Sequence, residues 1–328
     1  MNISRLRAAK PPPDRIPMIE NAIILTTNPL KFNTMPDGSF CVAFCPRNLK
    51  GELVIPSTVE FQGKTYTITA IREQSFRDCT ELTSITIPET ITHIGNYAFH
   101  GCTSLKKINL PPMLTKISDW MFSCCKSLTE ISLHSGIIEI CEGAFSECTK
   151  LSSIKIPETV TRIEDKCFYL CDSLESITVD EYNTHYRTLN GVLFNYKTTL
   201  LHSYPTAKKD SVYTIPESIT EIASWAFRGC EYISKVIFPA KLQKIREQAF
   251  ENCLSLKDVY FQCDEPPSVG LQAFYNCPIN LKIFYPEGNE DLWGTLWHGY
   301  KALTWNPDLP QGTPTRRGPL EQILKIFK

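Results

Sequence analysis

Residues 76–112 read FRDCTELTSITIPETITHIGNYAFHGCTSLKKINLPP, and the second half restates the first. Phe76, Cys79, Leu82, Ile85, Ile87 and Pro88 return 23 residues later as Phe99, Cys102, Leu105, Ile108, Leu110 and Pro111. The Phe-x-x-Cys pair stands at 76/79, 99/102, 122/125, 145/148, 168/171, 227/230, 250/253 and 274/277. Its spacings are 23 four times, then 59, 23 and 24. The long interval is one 23-residue unit and one of 36, so a single elongated unit sits inside a regular array.

Other apolar positions recur in phase with the pair. Leu82, Leu105, Leu128, Leu151, Leu174, Ile233 and Leu256 form one series; Ile71, Ile94, Ile117, Ile140, Ile163, Ile222 and Ile245 form a second spine. A repeat of this length is the mark of a solenoid, because one unit cannot bury its apolar side alone and stacked units build a continuous core. The L-x-x-I-x-I segment ends in apolar/polar alternation, as a short strand with one inward face does. Stacking makes these strands a parallel sheet spaced about 4.8 Å. Pro88, Pro111, Pro157, Pro216 and Pro239 end the strands at one place, since proline donates nothing to a ladder.

One cysteine per coil at equivalent positions predicts a column of small buried side chains. A row of disulfides between coils is the rival reading, but equivalent atoms about 4.8 Å apart suit a bridge poorly, which wants Cβ atoms about 3.8 Å apart. No C-x2-4-C pair with a matching second pair points to a metal site.

The unit LTSITIPETITHIGNYAFHGCTS, residues 82–104, resembles the 23-residue leucine-rich repeat of the BspA-like family, whose units end in A-F-x-x-C. The likeness spans about residues 50–300 in eight units. Departures are small: the usual glycine appears only at Gly95, with Ser118, Cys141, Glu164, Ala223 and Arg246 elsewhere, and Ser75, Met121 or Cys167 stands for alanine. The resemblance implies an extended, curved, non-catalytic surface, often exported and used for adhesion or protein contact. The expected fold is an α/β repeat solenoid, right-handed, with short parallel strands on the concave face and mostly loops and short helical turns elsewhere.

The expected organisation is a flexible segment at 1–37, an N-terminal cap at 38–70, leucine-rich repeats at 71–264 with an insertion at 180–214, a C-terminal repeat and cap at 265–305, and a flexible tail at 306–328. Cys41 and Cys45 lie in the N-terminal cap, either bridged or as two buried strand residues. In the insertion, Asn190-Gly191 signals a tight turn and a hairpin projecting from the stack. Its five tyrosines either pack that hairpin or offer contact surface. DLWGTLWHGYKALTW, residues 291–305, reads as a short helix whose aromatics cover the last coil; a carbohydrate platform is the alternative use for them.

Composition narrows the function. With 34 basic and 35 acidic residues in 328 there is no charge bias toward nucleic acid or anionic lipid. No apolar run is long enough to span a bilayer, and no secretory signal is recognisable at the start. G-x-S-x-G, H-E-x-x-H, Walker-type and G-x-G-x-x-G signatures are missing, and the six histidines are scattered, so no catalytic, cofactor or metal residues are expected.

Binding is the remaining class, and residues between the inward positions carry it. The candidates on the strand face are Lys107, Asn109, Glu130, Lys155, Lys235, Ile237, Asp258 and Tyr260, with Ile237 and Tyr260 supplying apolar surface; Tyr186 and Tyr196 add to them from the insertion. The expected function is a cell-surface or secreted adhesion or protein-interaction module for a protein, of a host or its matrix, or a glycan. The alternatives are an intracellular protein scaffold and a thiol-dependent enzyme. No nucleic-acid partner, no membrane insertion and a monomeric state are expected.

Overall fold

In the computed structural model, residues 23–24 and 30–306 are described. The chain winds as a β-solenoid with three columns running along its axis, two of short strands and one of turns.

The first strand column is the L-x-x-I-x-I segment. Gly51–Val54, Leu82–Thr86 and Lys107–Ile108 pair in parallel, as do Ser153–Ile156 and Ser176–Val179. Val212–Thr214, Lys235–Phe238, Asp258–Phe261, Lys282–Pro286 and Tyr300–Trp305 continue it. The second spine makes strands of its own, often two residues long: Lys116–Ile117, Glu139–Ile140 and Arg162–Ile163, then Glu221–Ile222, Lys244–Ile245 and Ser268–Val269. In each column register is set by the inward isoleucine, as in Ile117↔Ile140↔Ile163. A slip by one residue would turn it to solvent.

The turn column is built of short turns closed by bonds such as His100 N–H to Tyr97 O at 3.1 Å. Each regular coil has left-handed residues two before and two after its ladder phenylalanine, for example Tyr97 and Gly101 around Phe99, and Trp120 and Cys124 around Phe122. Two such residues rule out a continuous helix. The phenylalanine N–H instead bonds to the next coil, Phe99 to Met121 O at 3.0 Å and Phe122 to Ala144 O at 2.9 Å. The rings stack, with centroids 5.2, 5.6, 5.8 and 6.1 Å apart from Phe76 through Phe168. Helix is confined to Glu290–Trp293 among the described residues.

The cysteine column is buried and hydrogen-bonded. Cys102, Cys125, Cys148 and Cys171 each turn the thiol to the carbonyl of the phenylalanine one coil back, at 3.1–3.2 Å. Cys41 and Cys45 are both buried; Cys41 donates to Asn33 O, while Cys45 meets Cys79 and so begins the ladder rather than bridging Cys41.

Three expectations about the ends and the insertion are corrected. The cap starts before residue 38: Lys31–Thr34 pairs antiparallel with Phe40–Phe44, and Leu30 and Phe32 are buried. A single short strand outside the repeat gives no periodic signal. The hairpin of Tyr186–Leu189 and Val192–Asn195 forms around Asn190-Gly191, both left-handed, but it does not project. Its Val192, Leu193 and Phe194 are fully buried and it pairs with Leu200–Ser203, which runs parallel to Glu221–Ile222. Three consecutive apolar residues need cover on both faces, which only the stack provides. The aromatic C-terminal segment does cover the last coils, yet as the strand pair Leu296–Trp297 and Tyr300–Trp305 more than as a helix. The tail beyond Asn306 and residues 1–22 and 25–29 lie outside the described residues.

The elongated unit also divides the core. One cluster runs from Leu30 to Ile177 and ends on Leu193; the other runs from Val192 to Ala302. Tyr204 takes the phenylalanine position in the elongated unit and restarts the ring stack, 4.9 Å from Phe227.

Candidate interaction surface

The strand face is built by the first column. Outward side chains of neighbouring coils fall into rows, because parallel register sets equivalent residues side by side. Ser84 lies beside Lys107, and Ser153 beside Ser176. Farther along, Val212, Lys235, Asp258, Lys282 and Lys301 form one row, and Thr214, Ile237, Tyr260, Phe284 and Leu303 the next.

Lys107, Asn109, Glu130 and Lys155 are exposed on this face, in the first block of coils. Lys155 pairs with Asp180 at 2.9 Å, and that hydrogen bond raises the lysine and lowers the carboxylate from their ordinary pKa values. Both groups are solvated, so the pair orients the lysine more than it stabilises the fold. Lys235 and Asp258 are half-buried neighbours in the second block, where the Lys235 ammonium lies 5.1 Å over the Tyr260 ring.

Ile237 and Tyr260 do not supply apolar surface. They are 3 % and 6 % exposed, packed with Phe284 and Trp305. Tyr260 stacks on Phe284 at 4.4 Å and meets Trp305 edge-on at 5.1 Å. Trp305 Nε1 donates to Phe261 O at 3.0 Å, anchoring the indole. Period alone places a residue on a face without showing what crosses over it. Burial pushes the Tyr260 phenol pKa up.

Tyr186 and Tyr196 are separate from the rows and from each other in character. Tyr186 is half-buried, its hydroxyl accepting from Ile163 N–H at 2.8 Å, and so ends the second strand column of the first block. Tyr196 is 48 % exposed, with the Arg187 guanidinium 5.5 Å over its ring.

Exposed apolar residues missed in the sequence are spread along the chain, from Val54 and Met113 to Leu254, Leu271, Ile279 and Leu296. Leu254 was detectable. The residue after the ladder cysteine is Thr80, Thr103 and Thr149 in earlier coils, and leucine there breaks the pattern outward.

No group of His, Cys, Asp and Glu among the described residues has the arrangement of a metal site. No described helix is long and apolar enough to cross a membrane.

Two strand columns, a phenylalanine stack and a thiol column on a 23-residue period define a leucine-rich-repeat solenoid. The description "BspA type Leucine rich repeat region" matches residues 69–200 and 208–294 in six copies, so the chain belongs to that family. No curated protein matches it. The pneumococcal vaccine antigen PcpA is similar in fold, with a TM-score of 0.60, 20 % identity and coverage of 87 % of this chain and 99 % of that one. A leucine-rich repeat protein from Eubacterium ventriosum gives a TM-score of 0.57 at 21 % identity, over 85 % and 83 % of the two chains. A leucine rich cell surface protein from Faecalibacterium prausnitzii gives 0.51 at 24 % identity, over 82 % and 89 %.

Proposed function

We propose that the protein is a non-catalytic protein-interaction module of the cell surface, binding through the strand face of its first block. The observation that carries this reading is the exposure of Lys107, Asn109, Glu130 and Lys155 on adjoining coils. The corresponding face of the second block holds buried Ile237 and Tyr260 under Trp305. Repetition makes a broad, rigid array of polar groups of both signs, the kind of surface solenoids offer to partners. The surface assignment is supported by the Faecalibacterium prausnitzii protein of similar fold, described as a cell surface protein. A thiol enzyme is disfavoured because burial raises the ladder thiols, and an activated cysteine needs the opposite shift.

Fourteen unpaired cysteines favour a second reading, an intracellular scaffold, since thiols persist in reducing compartments. Protease shaving of intact producing cells separates the two. Loss of the protein while a cytosolic control survives supports surface display; survival until lysis overturns it. The binding face is tested with a photo-crosslinking residue at Lys107 or Glu130, compared with one at exposed Lys209. A crosslinked partner specific to the first two positions is expected, and equal yield from all three would sink the assignment.

A further inference from the structure

The thiol column ends differently at the N-terminal cap than it runs in the repeats. In regular coils the phenylalanine N–H bonds to the residue before the next coil's phenylalanine, Phe76 to Ala98 O at 2.9 Å and Phe99 to Met121 O at 3.0 Å. Cys45 N–H bonds in the same way to Ser75 O at 2.8 Å, the residue before Phe76. Cys45 therefore holds the phenylalanine place of the cap coil, not the cysteine place. It is 1 % exposed, and Cys79 of the first repeat is 0 % exposed.

These two thiols are held unlike the others. In the repeats each thiol has a carbonyl of its own, as Cys102 has Phe76 O at 3.1 Å and Cys125 has Phe99 O at 3.2 Å. With cysteine in the phenylalanine place one coil back, Cys79 has no such partner, and Cys45 and Cys79 share the one carbonyl of Pro46 at 3.6 and 3.8 Å. Neither sulfur is pinned. Cys45 S–H donates to the Cys79 sulfur; that bond holds Cys45 as the thiol and, helped by the Arg47 guanidinium, lowers the Cys79 pKa against the effect of burial.

The spacing that argues against bridges within the ladder does not govern this pair. Equivalent atoms of adjacent coils lie about 4.8 Å apart, too far for the roughly 3.8 Å between the Cβ atoms of a disulfide. Cys253 and Cys277 also touch, but they occupy equivalent places, and each donates to its own phenylalanine carbonyl at 3.0 and 3.1 Å. Cys45 and Cys79 come from different places of their coils. Their backbones are already fixed side by side, through Cys45 N–H to Ser75 O and Cys79 N–H to Phe76 O at 3.2 Å.

We propose that Cys45 and Cys79 form a redox modification site, which closes to a disulfide tying the cap to the first repeat. The co-reactant is a low-molecular-weight disulfide of the glutathione type. The Cys79 thiolate attacks one of its sulfurs, that S–S bond breaks and one small thiolate leaves; Cys45 then gives up its proton and attacks the Cys79 sulfur, expelling the second small thiol. Two thiol hydrogens end on two small thiols, and one S–S bond replaces another. Burial keeps the reagent out of the closed fold, so the exchange takes place while the cap is open. The bond joins residues 34 apart in the chain and fastens the end coil that a solenoid must keep shielded. It concerns the cap alone and is independent of the strand-face assignment.

The test holds the reduced full chain in a mixture of oxidised and reduced glutathione at about pH 8, with urea below the unfolding transition so that the cap opens and closes. Remaining thiols are then alkylated, and the disulfides are mapped by proteolysis and mass spectrometry. The expected result is a Cys45–Cys79 bridge, and a melting midpoint roughly 5 °C or more above that of the reduced chain. That gain disappears in Cys45→Ser. The wild-type peptide map decides the matter even where the variant does not fold. The proposal is overturned if Cys45 bridges Cys41, if Cys253–Cys277 closes while Cys45 and Cys79 stay thiols, if either of the two retains glutathione, or if both are alkylated.

Discussion

A ladder cysteine uses both its backbone and its side chain. Cys102 N–H closes a turn on Phe99 O at 3.1 Å, while its thiol donates to Phe76 O in the preceding coil at 3.1 Å. The carbonyls of Phe76, Phe99, Phe122, Phe145, Phe227 and Phe250 thus each collect one bond from their own coil and one from a thiol of the next. Serine has the donor but a larger desolvation cost, and alanine lacks the donor, so a thiol suits a dry column better than either. Burial pushes Cys171 up to about 12 and holds Cys125 and Cys148 well above the ordinary thiol value. Alkylation proceeds through the thiolate. Iodoacetamide at about pH 8 is expected to label the half-buried Cys124 and Cys277 in the native chain, and the other twelve of the fourteen thiols only after denaturation. Intact mass measurement reads the count; native labelling of Cys125 at the rate of Cys124 would rule out a closed ladder.

Among the elements, the turn column shows how two coils constrain each other. Gly143 is left-handed at φ +61°, as its counterparts Tyr97, Trp120 and Lys166 are, so backbone conformation alone does not demand glycine there. The Trp120 ring demands it: a Cβ on Gly143 would come 2.6 Å from that ring. Gly143→Ala should cost about 2 kcal/mol, from left-handed strain and displacement of the indole. Trp120→Gln should recover the part due to the ring, and a cycle of urea midpoints that is additive would disprove the coupling. The period made the strands and the ladder readable, because each is one kind of residue in one place of the unit; the left-handed turn positions, held by residues as different as Tyr97, Gly143 and Lys166, were not. The tyrosine at 204, the buried hairpin and the indole at 305 were not readable as such. Each substitutes for a repeat position from outside the repeat, and only three-dimensional contact reveals the substitution. For the same reason four of the charged and polar face residues were placed outward as expected, while Ile237 and Tyr260 were not.

For the whole molecule, the divided core matters most. Clusters that end on Leu193 and begin on Val192 meet chiefly at the elongated unit, and solenoid coils are stabilised by nearest neighbours. Equilibrium unfolding should therefore depart from two-state behaviour. Trp120 belongs to the first block, whereas Trp225, Trp293, Trp297 and Trp305 belong to the second. Urea curves followed by tryptophan fluorescence and by far-ultraviolet circular dichroism should have different midpoints. Coincident curves would mean that the hairpin welds the blocks into one cooperative unit.

The same division bears on how the chain is made. Every buried member of the first cluster lies at or before residue 193, and the hairpin that seals its open end is complete by Asn195. A ribosome that has released this much has supplied both the first block and its lid, before Tyr204 begins the second ring stack. Domains fold as units during synthesis, the N-terminal one first. The elongated unit is then a checkpoint in the order of translation, at which one stack closes over its own edge and exposes Leu200–Ser203 as the template on which the next is laid.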